Sequence, residues 1–494
     1  MKFGLEQNII DKLIAVFEQH SKVDKALLFG SRAKGNYRPN SDIDIAIKGQ
    51  DLNTDDIIAM SVAFEEKGIT HKIDLINYFT IKEPDLKDHI NRIGIELYSR
   101  WKEYKLSELA DITSSKRIFY AEYVNEGVPF YRSKEIINKY NKQEIQTELF
   151  ITEKKFKEIK SKFGVPVKDD ILLTSVGTLG IPYLVTENDY FYFKDGNLTW
   201  FRKIDKSKVD VSYFYIWLQS RIGKQKLDEI AIGSTQPALT IAGLKSIEIL
   251  LPDLIEQTAI ASILSSLDDK IDLLHRQNKT LEQLAETLFR EWFVEEVEES
   301  WEEITLSEIA DHSKENIHPS KNPTKLYKHY SLPAFDAGQE PITEIGKEIL
   351  SIKYRVISNS ILVSKLNPRT PRIWMIYGNV NEDESICSTE FQIVKPKDQK
   401  WYGFIYCFLK SYNVTQELAG ASSGTSGSHQ RVNPQDIFNL TFLKPTDILV
   451  EKFSSLMDNY LVKINNNQTQ IRTLTQTRDA LLPKLMSGEV RVNL

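Results

Sequence analysis

Three carboxylates and one tight turn near the N-terminus have the types and spacing for phosphoryl chemistry. Asp42 and Asp44 lie in "SDIDIAI" (41–47), after the Gly30-Ser31 pair that ends "KALLFGS" (25–31), and Asp74 follows in "HKIDLINYF" (71–79). Alternation in "SDIDIAI" reads as a half-buried strand, with Asp42 and Asp44 on one face and Ile43, Ile45 and Ile47 on the other. Carboxylates placed so suit a hard divalent cation such as Mg²⁺, which binds through one or two carboxylates plus substrate phosphates. The Gly30-Ser31 turn brings backbone N–H donors close to triphosphate oxygens. Together these are parts for nucleotidyl transfer, in which Asp74 helps deprotonate or orient an incoming hydroxyl and pyrophosphate leaves. Arg32, with Lys34 and Arg38, is either a phosphate-neutralising group or ordinary exposed charge. His20 and His71 have no metal-ligand spacing.

These residues occupy a small part of 494, too many for one hydrophobic core. Apolar residues make 41% and charged residues 27%, the balance of a folded globular chain. The longest apolar run, "ILLTSVGTLGIPYLV" (171–185), is broken by two glycines and a proline and is too short to span a bilayer. Cys387 and Cys407 have no ligand spacing and form no disulfide framework, so a soluble protein of a reducing cytoplasm, with both thiols used for packing, is expected. The formal charge is −6, and residues 253–300 alone hold 12 acidic against 4 basic side chains. A basic face elsewhere remains open, because fields act locally.

The chain also repeats itself. "WKEYKLSELAD" (101–111) and "WEEITLSEIAD" (301–311) are each followed by the same landmarks: a buried-strand pattern running into a loop ("ILLTSVGTLG", "ILVSKLNPRT"), then a Gly/Ser loop ("AIGSTQPALT", "ASSGTSGSHQ"), then a strand ending at Pro252 or Pro445. A long helix is predicted after each. Leu267, Ile271, Leu274, Asn278, Leu281, Ala285 and Leu288 alternate steps of four and three, as do Tyr460, Ile464, Asn467, Ile471, Leu474, Arg478, Leu481 and Leu485. Each stripe holds an Asn, the residue that fixes register in a coiled-coil seam at some cost in stability. Either the helices pair as an antiparallel spacer or each covers its own domain.

The expected fold is therefore a multidomain mix of α and β: an N-terminal α/β domain (1–98), an α+β unit (99–252), a helix (253–300), a second α+β unit (301–445) and a second helix (446–494). Two similar units suit two separated marks on one long ligand, and DNA is the natural candidate. On "GSTQPALTIAGLKSIEILLPDLIEQTAIASILSSLDDKID" (233–272), "LFREWFVEE" (288–296) and "RDALLPKLMSGEVRV" (478–492), the chain from about 101 onward resembles the specificity subunit of type I restriction-modification enzymes. It departs from that pattern at "SSGTSGSHQRVNPQDI" and in lacking a Glu-Gln pair after Pro445. Residues 1 to about 98, with Gly-Ser, Asp-x-Asp and the later lone Asp, are similar to the minimal nucleotidyltransferases related to DNA polymerase beta.

The first resemblance implies two target-recognition domains reading an asymmetric bipartite duplex, with methylase and restriction (translocase) subunits as partners. The chain has no methylase Asn-Pro-Pro-Tyr/Phe motif and no helicase phosphate loop, so a partner would bind S-adenosylmethionine and the specificity part would need no cofactor. Phosphate and base contacts call for loops and strand ends. The candidates are Lys116, Arg117, Thr174, Ser175, Thr178, Ser234, Thr235 and Gln236 in the first unit, and Lys365, Arg369, Arg372, His429, Gln430 and Arg431 in the second. The second resemblance implies catalysis and metal binding by Asp42, Asp44 and Asp74, nucleotide binding by Gly30, Ser31 and Arg32, and Mg²⁺ with a nucleoside triphosphate such as ATP. Its acceptor is open between a toxin-like protein and a small molecule, and whether the chain is an enzyme turns on this domain. The alternatives are a nucleotidyltransferase that uses its DNA-binding part for targeting, and a scaffold with a dead N-terminal domain.

Overall fold

The computed structural model describes residues 2–492 apart from Ser21, Gln50, Ser234, Thr235 and 423–429. It divides into two compact units, Met1–Ser266 with Asp479–Leu494, and Leu267–Arg478. The first unit begins with a four-stranded sheet ordered β3-β2-β1-β4, where β1 is Lys25–Leu28, β2 Ile43–Lys48, β3 Ile73–Asn77 and β4 Ile95–Ser99. β2 and β3 are parallel, and β1 is antiparallel to both its neighbours. Helices α1 (Gln7–Gln19) and α3 (Thr54–Glu66) cover the Ile43/Ile45/Ile47 face through Leu13, Phe17, Met60 and Phe64. The predicted alternation is thus realised, with isoleucines in the core and the aspartates on the opposite face.

The rest of the first unit contains a mixed α and β domain whose first and last strands pair. Lys102–Lys105 runs antiparallel to Glu248–Leu251, and Leu106 N–H donates to the Ile247 carbonyl at 2.9 Å. Between them lies an antiparallel sheet in which Ile171–Thr174 is flanked by Pro182–Leu184 and Leu198–Arg202, with Asp111–Thr113 beyond. The second unit repeats the plan. Glu303–Thr305 pairs with Thr441–Leu443, Leu306 N–H donates to the Leu440 carbonyl at 2.8 Å, and Ser360–Ser364 lies between Ile373–Ile376 and Phe391–Pro396, with Ala310–Ser313 beyond. The repeated Ser-Glu has a local cause. Glu108 and Glu308 each accept a backbone N–H three residues earlier, from Lys105 (2.7 Å) and Thr305 (3.0 Å), and so start a one-turn helix.

Both long helices form, Leu254–Arg290 and Asp447–Ser487. Within the second unit they pack on each other in antiparallel sense: Asp268 accepts from Arg478 at 2.8 Å, and Asn278 accepts from the Asn467 amide at 2.8 Å. Leu461 and Ile464 share a core with Ala285 and Phe289. Cys387 and Cys407 are buried and free, and burial pushes both thiols up. Among the described residues no helix is long and apolar enough to cross a membrane.

Asn467 is fully buried. Asn278→Ala removes its nearest acceptor, and a loss of about 1–3 kcal/mol in the second unit is expected, the penalty of a buried amide left short of a partner. Hydrogen exchange of the helix amides in the full chain measures it. Replacing both asparagines with Leu is expected to recover or exceed the original protection.

Candidate functional sites

The carboxylate site is built by register. In the parallel β2–β3 pair Asp44 stands opposite Asp74, and Asp42 immediately precedes β2. Phe29 N–H donates to the Asp44 carbonyl at 2.9 Å, so the turn into the short helix α2 (Gly30–Lys34) is made against Asp44. Gly30 adopts φ +72°, and a Cβ there would lie 1.9 Å from Asp44 Oδ2. Only glycine satisfies both the conformation and the approach.

Burial first, then the charges of Asp74 and Asp42, raise the Asp44 carboxyl above its ordinary value. Three carboxylates that sense one another call for a cation, and Lys72 supplies one. Its Nζ lies 3.1 Å from Asp42 Oδ2 and 3.0 Å from Asp74 Oδ1. Among the described residues no group of three His, Cys, Asp or Glu side chains is arranged to hold a metal ion as it stands. The donor set nevertheless fits one: all-oxygen, carboxylate-rich, and placed on adjacent strands with Asp44 and Asp74 in register. Lys72 is legible in "HKIDLINYF", since residues two apart on a strand share a face, but its charge is opposite to that of a metal ligand.

Arg32 corrects the expectation of a nucleotide-binding side chain. It is 1% exposed, and its guanidinium donates to the carbonyls of Ser41 (2.7 Å), Asp42 (3.2 Å) and Phe3 (3.1 Å). It fastens the segment that leads into Asp42 and is not presented to a ligand. Ser31 is half-buried beside Gly30.

In the two repeated α and β domains two loops meet in the same way. Leu239 N–H donates to the Ser175 carbonyl at 2.9 Å, and Val432 N–H donates to the Lys365 carbonyl at 2.9 Å. This sets exposed Thr178 on one loop and exposed Gln236 on the other in the first unit. In the second it joins Lys365 and exposed Arg369 to Gln430 and Arg431, with Asn367 N–H donating to the Gln430 carbonyl at 2.9 Å.

Several candidates serve the fold instead. Thr174 and Ser175 are buried: the Thr174 hydroxyl accepts from Ile181 N–H at 2.9 Å, and Ser175 Oγ lies 2.7 Å from Thr199 Oγ1. They shape the loop without facing out, because the strand pattern continues one residue past its apolar run. Arg372 is held bidentately by Asp336 at 2.7 and 2.9 Å. Arg117 pairs with Asp195 at 2.8 Å and Arg431 with Glu390 at 3.2 Å, both with exposed heads. Lys116 is exposed, its ammonium 5.3 Å from the Phe163 ring centroid. Ser234, Thr235 and His429 lie outside the described residues.

Comparison with known proteins finds relatives of both parts of the chain. Residues 11–103 match the family described as polymerase beta, nucleotidyltransferase, and residues 98–283 match the type I restriction modification DNA specificity domain. The type I restriction enzyme MjaIX specificity subunit of Methanocaldococcus jannaschii is 28% identical over 423 residues, covering 79% of this chain and 94% of that protein. The HindI specificity subunit of Haemophilus influenzae is 24% identical over 479 residues, covering 79% of this chain and all of that one (100%). The crystal structure of the type I restriction-modification S subunit from M. genitalium shares the fold, with a TM-score of 0.53 at 18% identity over 80% of this chain and 96% of that one. The chain is thus similar to DNA-specificity chains over about four-fifths of its length. It combines similarity to type I restriction enzyme specificity subunits with an N-terminal match to the nucleotidyltransferase family over residues 11–103.

Gly30→Ala is expected to displace the Asp44 carboxylate and to cost about 1–3 kcal/mol through the positive φ alone. Melting of the full chain reads the cost, and divalent-dependent nucleotide binding should be lost. Unchanged nucleotide binding would show that Asp44 is not needed at this position.

Proposed function

We propose that this chain is the DNA-sequence-specificity subunit of a type I restriction-modification system, binding a bipartite asymmetric duplex target and docking methylase and restriction subunits. The observation that carries it is homology to specificity subunits across 79% of the chain, matched by the loop junction that recurs in both units. Exposed Lys116 and Arg369 suit phosphates, which supply affinity without reading sequence. Exposed Thr178 and Gln236 carry the hydrogen-bonding groups that read base edges. Unlike sequences in the two loop pairs make the two half-sites different. The acidic segment 253–300, poor in phosphate-binding charge, suits protein partners better than DNA.

The test is selection from random duplexes by the full chain assembled with its methylase, at physiological salt. A split, asymmetric consensus is expected. Lys116→Ala or Arg369→Ala should weaken all duplexes alike and lower the log–log salt slope by about one, whereas Gln236→Ala should relax one half-site by about 1–3 kcal/mol. Equal retention of every duplex would sink the proposal.

For the N-terminal domain we propose Mg²⁺-dependent nucleotidyl transfer from a triphosphate such as ATP. Asp42, Asp44 and Asp74 would hold the metal, which when bound polarises the triphosphate and neutralises charge on the leaving pyrophosphate. Gly30 and Ser31 offer backbone N–H groups to phosphate oxygens, and Asp74 orients the acceptor hydroxyl. Label transfer from ATP, with the chain alone and with its methylase, tests this beside Asp42→Ala/Asp44→Ala. Label that the double substitution abolishes identifies the acceptor, be it a toxin-like protein, a complex subunit or a small molecule. Label that survives it would remove these carboxylates from the chemistry.

A further inference from the structure

The Lys72 clasp is not accounted for by the transfer chemistry. Its ammonium bridges Asp42 and Asp74, the two outer members of a carboxylate set whose third member is Asp44. The backbone of Lys72 is fixed, since its carbonyl accepts Ile43 N–H at 2.8 Å and so joins the start of β3 to the start of β2. The head is not fixed in the same way. The side chain is 67% exposed and ends a flexible four-carbon stem. An exposed ion pair of this kind is weak and readily exchanged.

We infer that Lys72 is the resident counter-ion of the carboxylate site, holding Asp42 and Asp74 together until it gives way to a divalent cation as the site loads. This rests on the nucleotidyl-transfer reading of the three aspartates. The physical logic is substitution of one positive charge by another of higher valence. Without Lys72, Asp42 and Asp74 would face each other and Asp44 with only the buried Arg32 guanidinium, already engaged by backbone carbonyls, as a compensating charge. With Lys72 in place, every cation that binds must first displace it, so the lysine sets the concentration of metal at which the site fills. Because its main chain stays tied to β2, the displaced ammonium remains beside the site instead of being lost from it.

The experiment is a Mn²⁺ titration of the full chain without nucleotide, with free Mn²⁺ read by electron paramagnetic resonance. Lys72→Met is expected to tighten Mn²⁺ binding about threefold or more, the scale set by removal of an exposed competing ion pair. Lys72→Arg, which keeps a bridging cation, should stay close to the unaltered chain, and Asp42→Asn/Asp44→Asn should abolish the specific site. Melting curves establish that each variant is folded, and Lys72→Gln substitutes for Lys72→Met if the latter is not. Equal or weaker Mn²⁺ binding by the neutral variant, with the aspartate variant still losing the site, overturns the counter-ion role while leaving the metal site intact. Mn²⁺ binding indifferent to the aspartate substitutions would instead overturn the metal-site reading itself.

Discussion

The pairing of the first strand of each recognition domain with its last is the constraint on which the remaining architecture depends. Lys102–Lys105 finds Glu248–Leu251, and Glu303–Thr305 finds Thr441–Leu443. Each pairing closes a loop of well over a hundred residues, an entropic cost that grows only slowly with length and that the buried core of the domain offsets. Its consequence is topological. The chain leaves each domain where it entered, so a long helix can begin at once after Pro252 or Pro445. The same offset in sequence separates Leu239 from Val432, Ile247 from Leu440 and Pro252 from Pro445. The loop junction, the closing hydrogen bond and the helix start therefore recur as one rigidly spaced set.

Where the two halves differ, one physical role is filled by different chemistry. Gln257, buried in the first turn of the first long helix, donates to the carbonyls of Pro252 (2.8 Å) and Lys208 (3.0 Å) and accepts from Asp210 N–H (2.8 Å). The equivalent position in the second half is Val450, also fully buried. A polar pin satisfied on every side and an apolar side chain in a close-packed core are both stable answers for one buried site, whereas a half-satisfied amide is not. The missing Glu-Gln pair after Pro445 is thus a change of core packing, and the helix starts there regardless.

Periodicity made the elements legible and left the partners of individual side chains obscure. The strand carrying Asp42 and Asp44, the repeat, and both long helices with Asn278 and Asn467 in their stripes follow from spacing alone. Arg32, Thr174 and Ser175 did not, because burial of a polar side chain depends on carbonyls and hydroxyls supplied from elsewhere in the fold. For Arg32 those are the carbonyls of Phe3, Ser41 and Asp42, and no local pattern announces them. The acid partners of Arg117, Arg372 and Arg431, namely Asp195, Asp336 and Glu390, were hidden for the same reason.

Those acid partners bear on how a chain of net negative charge can meet DNA. An arginine held by a carboxylate in the free protein is preorganised, but phosphate must compete with that carboxylate, so the pair contributes less to affinity than its positive head suggests. Lysines and arginines without such a competitor carry the salt-dependent attraction, whereas paired arginines are better suited to directional contacts made once the duplex is docked. Arg431 sits on the loop joined to Lys365, and its guanidinium is already fixed by Glu390. On the proposed function, then, unpaired charge in each unit captures the backbone, and carboxylate-held arginines add directional contacts to those of Thr178 and Gln236.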